Sequence, residues 1–132
     1  MTNKQLVRVR DVMSTEFEVV DGMTTITTAL QKMKQMQTKM LIIDKRHEDD
    51  EYGVVMISDI ARHVLARDKS PDRVSAYEIM TKPVVCVEAD MDIRYCARLF
   101  EKFGLSRVPV KEQGKIVGIV SLTRLVLQGI KT

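Results

Sequence analysis

Residues 53–60 read GVVMISDI and residues 118–125 read GIVSLTRL. Each phrase is a glycine, a mostly apolar run and a polar turn that opens an apolar helical pattern. At the same step the first carries a carboxylate, Asp59, and the second a guanidinium, Arg124. A carboxylate can accept hydrogen bonds at a helix start, whereas a guanidinium only donates. Ser58 and Asp59 are both capping residue types, so Asp59 could stabilise its own helix with no ligand at all. Taken alone, Arg124 reads as a solvated helix residue or an ion-pair partner.

Other residues capable of chemistry are scattered. His47 lies in the loop KRHEDDE and His63 beside Arg62, and neither has a second His or a Cys at ligand spacing, so no metal site is expected. The acidic run at residues 48–51 lacks the alternating oxygen ligands and glycine of a calcium loop and reads as a solvated turn. Cys86 and Cys96 sit in regular apolar patterns and read as reduced core residues. No Ser, His and acid set, no glycine-rich phosphate loop before a helix and no nucleophilic cysteine motif is present. Catalytic residues, and with them an enzyme, are not expected.

Composition narrows the class further. A chain of 132 residues, 45% of them hydrophobic, can bury one core of ordinary domain size. No apolar run approaches the ~20 residues of a membrane span. The stretch MTNKQLVRVRDVM lacks the apolar region of a secretory signal, so a cytoplasmic location is expected. The net charge of +3 comes from Lys and Arg interleaved with Asp and Glu. With three Tyr and three Phe in all, no basic stripe with aromatics exists, and nucleic acid is not the expected partner.

The elements that must position the two phrases are also written twice. A constant shift pairs DVMST (11–15) with EIMTK (78–82), FEVV (17–20) with VVCV (84–87), ITTALQKM with IRYCARLF, and LIID (41–44) with VPVK (108–111). The register then slips, because KRHEDDEY is longer than EQGK, and Gly53 falls on Gly118. FEVV and VVCV read as strands. Ile26, Ala29, Leu30, Met33 and Met40, and likewise Ile93, Cys96, Ala97, Phe100 and Phe103, are spaced as one apolar helix face. Thr24 or Thr25 and Asp90 or Asp92 can cap these helices, and Gly104 can end the second. KMLIID with YGVVMI, and RVPV with KIVGIV, read as antiparallel hairpins, each running into a last helix, SDIARHVLA or LTRLVLQGI. The expected fold is α+β (mixed α/β): two β-α-β-β-α repeats related by a pseudo-twofold and packed through their sheets. Residues 1–68 hold the first repeat with its N-terminal segment, 69–75 an exposed linker, and 76–132 the second repeat.

The DVM and EIM openings, the SRVPV strand at 106–110 and the two glycine-to-helix phrases resemble a tandem pair of cystathionine β-synthase (CBS) domains, over roughly Val9 to Leu127. The resemblance implies a small regulatory module that binds adenosyl ligands. In that family the phrase is Gly, two aliphatics, Thr or Ser, two residues, then Asp. The Asp takes both ribose hydroxyls, the hydroxyl residue bonds ribose or phosphate, aliphatic strand residues sandwich the adenine, and helix N–H groups favour phosphate. Carried over, one cleft combines Val54, Val55 and Asp59 with Thr81, Val84, Leu105, Ser106 and Arg107, the last as a phosphate-binding cation. A second combines Ser14, Phe17, Thr38, Lys39, Ile119, Ser121 and Arg124. Met56 replaces the hydroxyl in the first phrase, and Arg124 the ribose acceptor in the second. The resemblance therefore implies a stand-alone adenine nucleotide sensor for AMP, ADP or ATP with unequal clefts. It would signal through an effector protein or through its own homodimer. The alternative is a ligand-free assembly module with vestigial clefts.

Overall fold

The computed structural model describes residues 6–82 and 84–131. Its elements in chain order are α1 (Val9–Val12), β1 (Val19–Val20), α2 (Ile26–Met36), β2 (Met40–Ile43), β3 (Gly53–Met56), α3 (Ile57–Ile60), α4 (Ala76–Ile79), β4 (Val87–Glu88), α5 (Ile93–Phe103), β5 (Arg107–Glu112), β6 (Lys115–Ser121) and α6 (Leu122–Gly129). The fold is mixed α+β, with two three-stranded sheets ordered β1-β2-β3 and β4-β5-β6. In each, the first strand runs parallel to the second and the second antiparallel to the third. The first strands are shorter than FEVV and VVCV suggest, keeping only Val19–Val20 and Val87–Glu88. Short edge strands offer little template for unwanted pairing.

Two compact units result: Phe17–Val84 is one, and residues 6–16 join residues 85–131 in the other. In the Phe17–Val84 unit the central strand MLII is buried throughout. Its period of two sends Leu41 and Ile43 into the core shared with Val20, Ile26, Ala29, Met33 and Val55. Burying each such aliphatic contributes about 1.5–3 kcal/mol. Thr25 caps α2 by accepting from the Thr28 N–H at 3.2 Å. Met40 opens β2 and does not belong to the α2 face that its spacing suggests. Gln37, in a left-handed conformation at φ 52°, ends the helix first. The helix expected over SDIARHVLA starts as α3 and widens into a π-helical segment, Ala61–Leu65. The segment between the repeats is not wholly an exposed linker. It forms a 3-10 turn at Pro71–Arg73 and buries Val74 in this core.

The other unit repeats the plan. Val108, Val110 and Val120 alternate into a core with Val87, Cys96 and Phe100. Asp92 caps α5 through the Arg94 N–H at 2.9 Å, and Gly104 ends it at φ 63°. The apolar face of α5 is narrower than expected. Ala97 is exposed, as is Phe103 at the terminal position of the helix, where Lys102 lies over its ring at 5.6 Å. The β5–β6 turn is tight because Gln113 and Gly114 both take positive φ, the arrangement that matches strand twist.

Each opening segment packs on the other copy's strands. The Val9 N–H donates to the Met91 carbonyl at 2.8 Å, and Ser14 and Ile119 exchange backbone hydrogen bonds at 2.8 and 2.9 Å. Likewise the Tyr77 N–H donates to the Gly22 carbonyl at 2.8 Å, and Val54 and Thr81 exchange bonds at 3.0 and 2.9 Å. This approach explains the glycine of each phrase. A Cβ on Gly53 would lie 2.8 Å from Met80 Sδ and 3.1 Å from the Thr81 carbonyl. On Gly118 it would lie 2.7 Å from Met13 Sδ and 2.8 Å from the Ser14 carbonyl.

Candidate functional site

In the Phe17–Val84 unit, β3 delivers the first phrase directly into α3, and Asp59 sits at the third helical position. Its carboxylate is buried, 5% exposed, and Oδ2 accepts the Met56 N–H at 2.8 Å. The capping expectation for Asp59 is thus met by its own helix, through one oxygen. Oδ1 carries no hydrogen bond among the described residues. Beside it, Val54 and Val55 are buried, and Val54 is bridged to Thr81, which is exposed. Val84 lies half-buried at the end of the same unit. Phe17, Thr38 and Lys39 belong to this unit as well. The Lys39 carbonyl accepts the Ile57 N–H at 3.2 Å, and Thr38 Oγ1 bonds the Met40 carbonyl at 3.1 Å.

The second phrase, in the other unit, solves the same capping problem in reverse. Ser121 Oγ accepts the Arg124 N–H at 3.1 Å. A complete capping box needs a hydroxyl at the cap and a carboxylate three residues later. Copy one keeps only the carboxylate, because Met56 has no oxygen. Copy two keeps only the hydroxyl, because Arg124 cannot accept. Arg124 turns instead to α1, donating from Nε to the Val12 carbonyl at 2.7 Å and from Nη2 to the Met13 carbonyl at 3.4 Å. These are orphan carbonyls at a helix end, so its role is structural rather than that of a solvated residue.

Arg107 pairs with Ser121 across β5 and β6, and the Ser106 carbonyl accepts the Leu122 N–H at 2.8 Å. Ser14, Ile119, Leu105, Ser106, Arg107, Ser121 and Arg124 therefore share one unit. Arg107 Nε is buried without a hydrogen bond among the described residues. Such orphaned donors are rare in folded proteins.

One connection was not legible in the pattern. Asp50, in the acidic run read as a solvated turn, keeps only 9% of its side chain exposed and meets Lys82 Nζ at 2.5 Å. The Lys82 ammonium, with the Arg46 backbone N–H, holds the Asp50 carboxyl well below the usual carboxylate range. Lys82 follows Thr81 directly and lies far from Asp50 in sequence, so no local pattern joined the two. Burial pushes the Cys96 thiol up to about 11, which leaves it protonated at neutral pH. Among the described residues no group of three or more His, Cys, Asp or Glu is arranged to hold a metal. No helix among them is long and apolar enough to cross a membrane.

The CBS domain model matches residues 9–66 and 76–128. The chain belongs to the CBS domain family. It is a tandem CBS pair, a regulatory module. It is 32% identical over 80% of its length to an uncharacterized protein of Methanopyrus kandleri, of which it spans 55%. It spans 44% of a similar Thermofilum pendens protein that is 30% identical, so it covers about half the length of these curated relatives. Among solved structures it resembles a hexameric CBS-CP12 protein from bloom-forming cyanobacteria, at 31% identity and TM-score 0.88, covering 96% of this chain and 74% of that one. It also resembles a CBS domain pair solved in complex with 5′-methylthioadenosine and S-adenosyl-L-methionine, at 25% identity and TM-score 0.80, covering 95% of this chain and 97% of that one.

Proposed function

We propose that this CBS pair senses an adenosyl ligand, an adenine nucleotide of the AMP, ADP or ATP type, through the Asp59 phrase. The observation that carries the reading is the divided duty of the Asp59 carboxylate. Oδ2 is fixed by the Met56 N–H and Oδ1 is left to accept a hydroxyl. A ribose diol would supply two such hydroxyls, and charge-assisted bonds of this kind contribute about 1.5–3 kcal/mol. Val54, on the face of β3 opposite to the core residue Val55, supplies the aliphatic side chain for adenine, with Thr81 bridged to it. Val55 itself faces the core. The adenosyl ligands of the related CBS pair support the same ligand class. Isothermal titration with AMP, ADP, ATP and S-adenosylmethionine tests it. Asp59→Asn retains an acceptor for the Met56 N–H and should weaken binding by ~10-fold or more. Affinity unchanged in that variant would remove Asp59 from the site.

The output passes through a partner or through the homodimer. The α6 residues Leu122, Val126 and Leu127 and the following Ile130 are exposed, as are Ile57 and Leu65 at the matching place in the other copy. Apolar side chains grouped in this way support self-association, which light scattering would read as a mass above 15.1 kDa. A ligand-free assembly module is the second reading, favoured by Met56 and by the engagement of Arg124 with α1. It predicts self-association with no binding of any of the four ligands.

A further inference from the structure

The longer β2–β3 loop of copy one touches the opening segment of copy two at both of its ends. Near the start of that segment, the Arg46 guanidinium lies over the Tyr77 ring at 5.1 Å. At its end, Asp50 Oδ1 meets Lys82 Nζ at 2.5 Å. Asp50 Oδ2 accepts the Arg46 N–H at 2.9 Å, with Arg46 Nε at 3.5 Å, so one carboxylate joins both contacts. Between the two grips lie Met80, against Gly53, and Thr81, in paired bonds with Val54. All of these residues belong to the Phe17–Val84 unit.

The other copy is built differently. Its hairpin closes with the short Gln113–Gly114 turn, and Thr15 stands where Lys82 stands. A surface tie there, Arg10 to Glu112 at 3.0 Å, joins side chains 42% and 46% exposed, where screening leaves little grip. The Asp50 clamp is thus better buried than that tie and lies in the copy that carries Asp59, whereas the other opening segment is held from α6 by Arg124.

We propose that Asp50 is a positioning residue: it straps residues 76–82 onto β3 and so fixes Thr81 beside the Asp59 phrase. Its effect on ligand affinity rests on the adenosyl reading given above, whereas its effect on the segment does not. A competing effect has the opposite sign. If Asp50 merely masked Lys82, removing the carboxylate would free a cation and tighten phosphate-bearing ligands alone.

Amide hydrogen exchange on the ligand-free chain tests the strap, because the Ser14–Ile119 pair is an internal control of the same geometry. Asp50→Asn should speed exchange at Thr81 and Val54 by about tenfold or more and leave Ser14 and Ile119 within about twofold. Equal acceleration of both pairs, or none in either, overturns the proposal. Lys82→Met should give the same selective pattern and decides the matter if Asp50→Asn does not fold. Calorimetry with AMP and adenosine should show both weakened by a similar factor in Asp50→Asn, and tighter AMP would overturn positioning in favour of masking. If the unaltered protein binds neither, the adenosyl reading fails while the exchange result still judges Asp50.

Discussion

The guanidinium of Arg124 donates to the Val12 carbonyl at 2.7 Å, so the residue that stands where copy one has Asp59 secures the end of α1. Arg124→Asp would complete both the capping box with Ser121 and the full CBS phrase. The lost carbonyl bonds should cost about 1–2 kcal/mol, partly offset by a cap contribution of about 1 kcal/mol. Calorimetry should then detect an additional equivalent of adenosyl ligand per chain. A folded variant with unchanged stoichiometry would show that residue 124 does not distinguish the two phrases.

The glycines should differ in tolerance. At Gly53 the nearest obstacle is the end of a flexible side chain, Met80 Sδ, with the Thr81 carbonyl at 3.1 Å. At Gly118 the Ser14 carbonyl itself is 2.8 Å away, and backbone must shift. Gly118→Ala should destabilise by about 1–3 kcal/mol, and Gly53→Ala by less. Urea denaturation of the two variants checks the order, and equal losses would contradict it.

Acid stability has an assignable contributor. The Arg94 side chain, and then its backbone N–H, hold Asp92 down at about 2, below its ordinary value of 3.8. A carboxyl lowered in the folded state adds stability above its unfolded pKa and loses it as pH falls through the folded one. The contribution of Asp92 is therefore complete above about pH 4 and fades toward pH 2. Asp92→Asn should be less stable at pH 6, with the gap closing on acidification across that window. A gap constant down to pH 2 would assign the loss to packing.

Arg107 is predicted to read phosphate. Its buried Nε lacks a partner among the described residues, and a phosphate oxygen would satisfy it. Arg107→Ala should narrow the preference for AMP over adenosine by ~10-fold or more, with adenosine binding little changed. A preference that survives Arg107→Ala would move the phosphate contact elsewhere.

The repeat, both hairpins and the caps at Thr25, Asp92 and Gly104 follow from period and residue type, because each depends on neighbours in sequence. Met40 misled because three- and four-residue spacing continued past the point where Gln37 turned the chain. Val74 and Asp50 misled for another reason. Polar surroundings in sequence say nothing of what folds over them, and the Lys82 that buries Asp50 arrives from a different element. At the phrases themselves, the types of Asp59 and Arg124 were legible. Their hydrogen-bond partners were not, because Val12 is distant in sequence from Arg124 and the Met56 N–H competes with any ligand for Asp59.

The exchange of opening segments also sets an order in time. The Phe17–Val84 unit is contiguous and can close once Val84 has left the ribosome. The other must wait, since Val9 bonds to Met91 and Ser14 to Ile119. At about 5–20 residues per second, α1 stays without its partners for roughly 5–20 s of synthesis. Val9 and Val12, both 0–1% exposed in the finished fold, are then open to any apolar surface nearby. An early helix thus waits for late strands, and until Met91 and Ile119 emerge its two valines stay available to chaperones or to a neighbouring nascent copy.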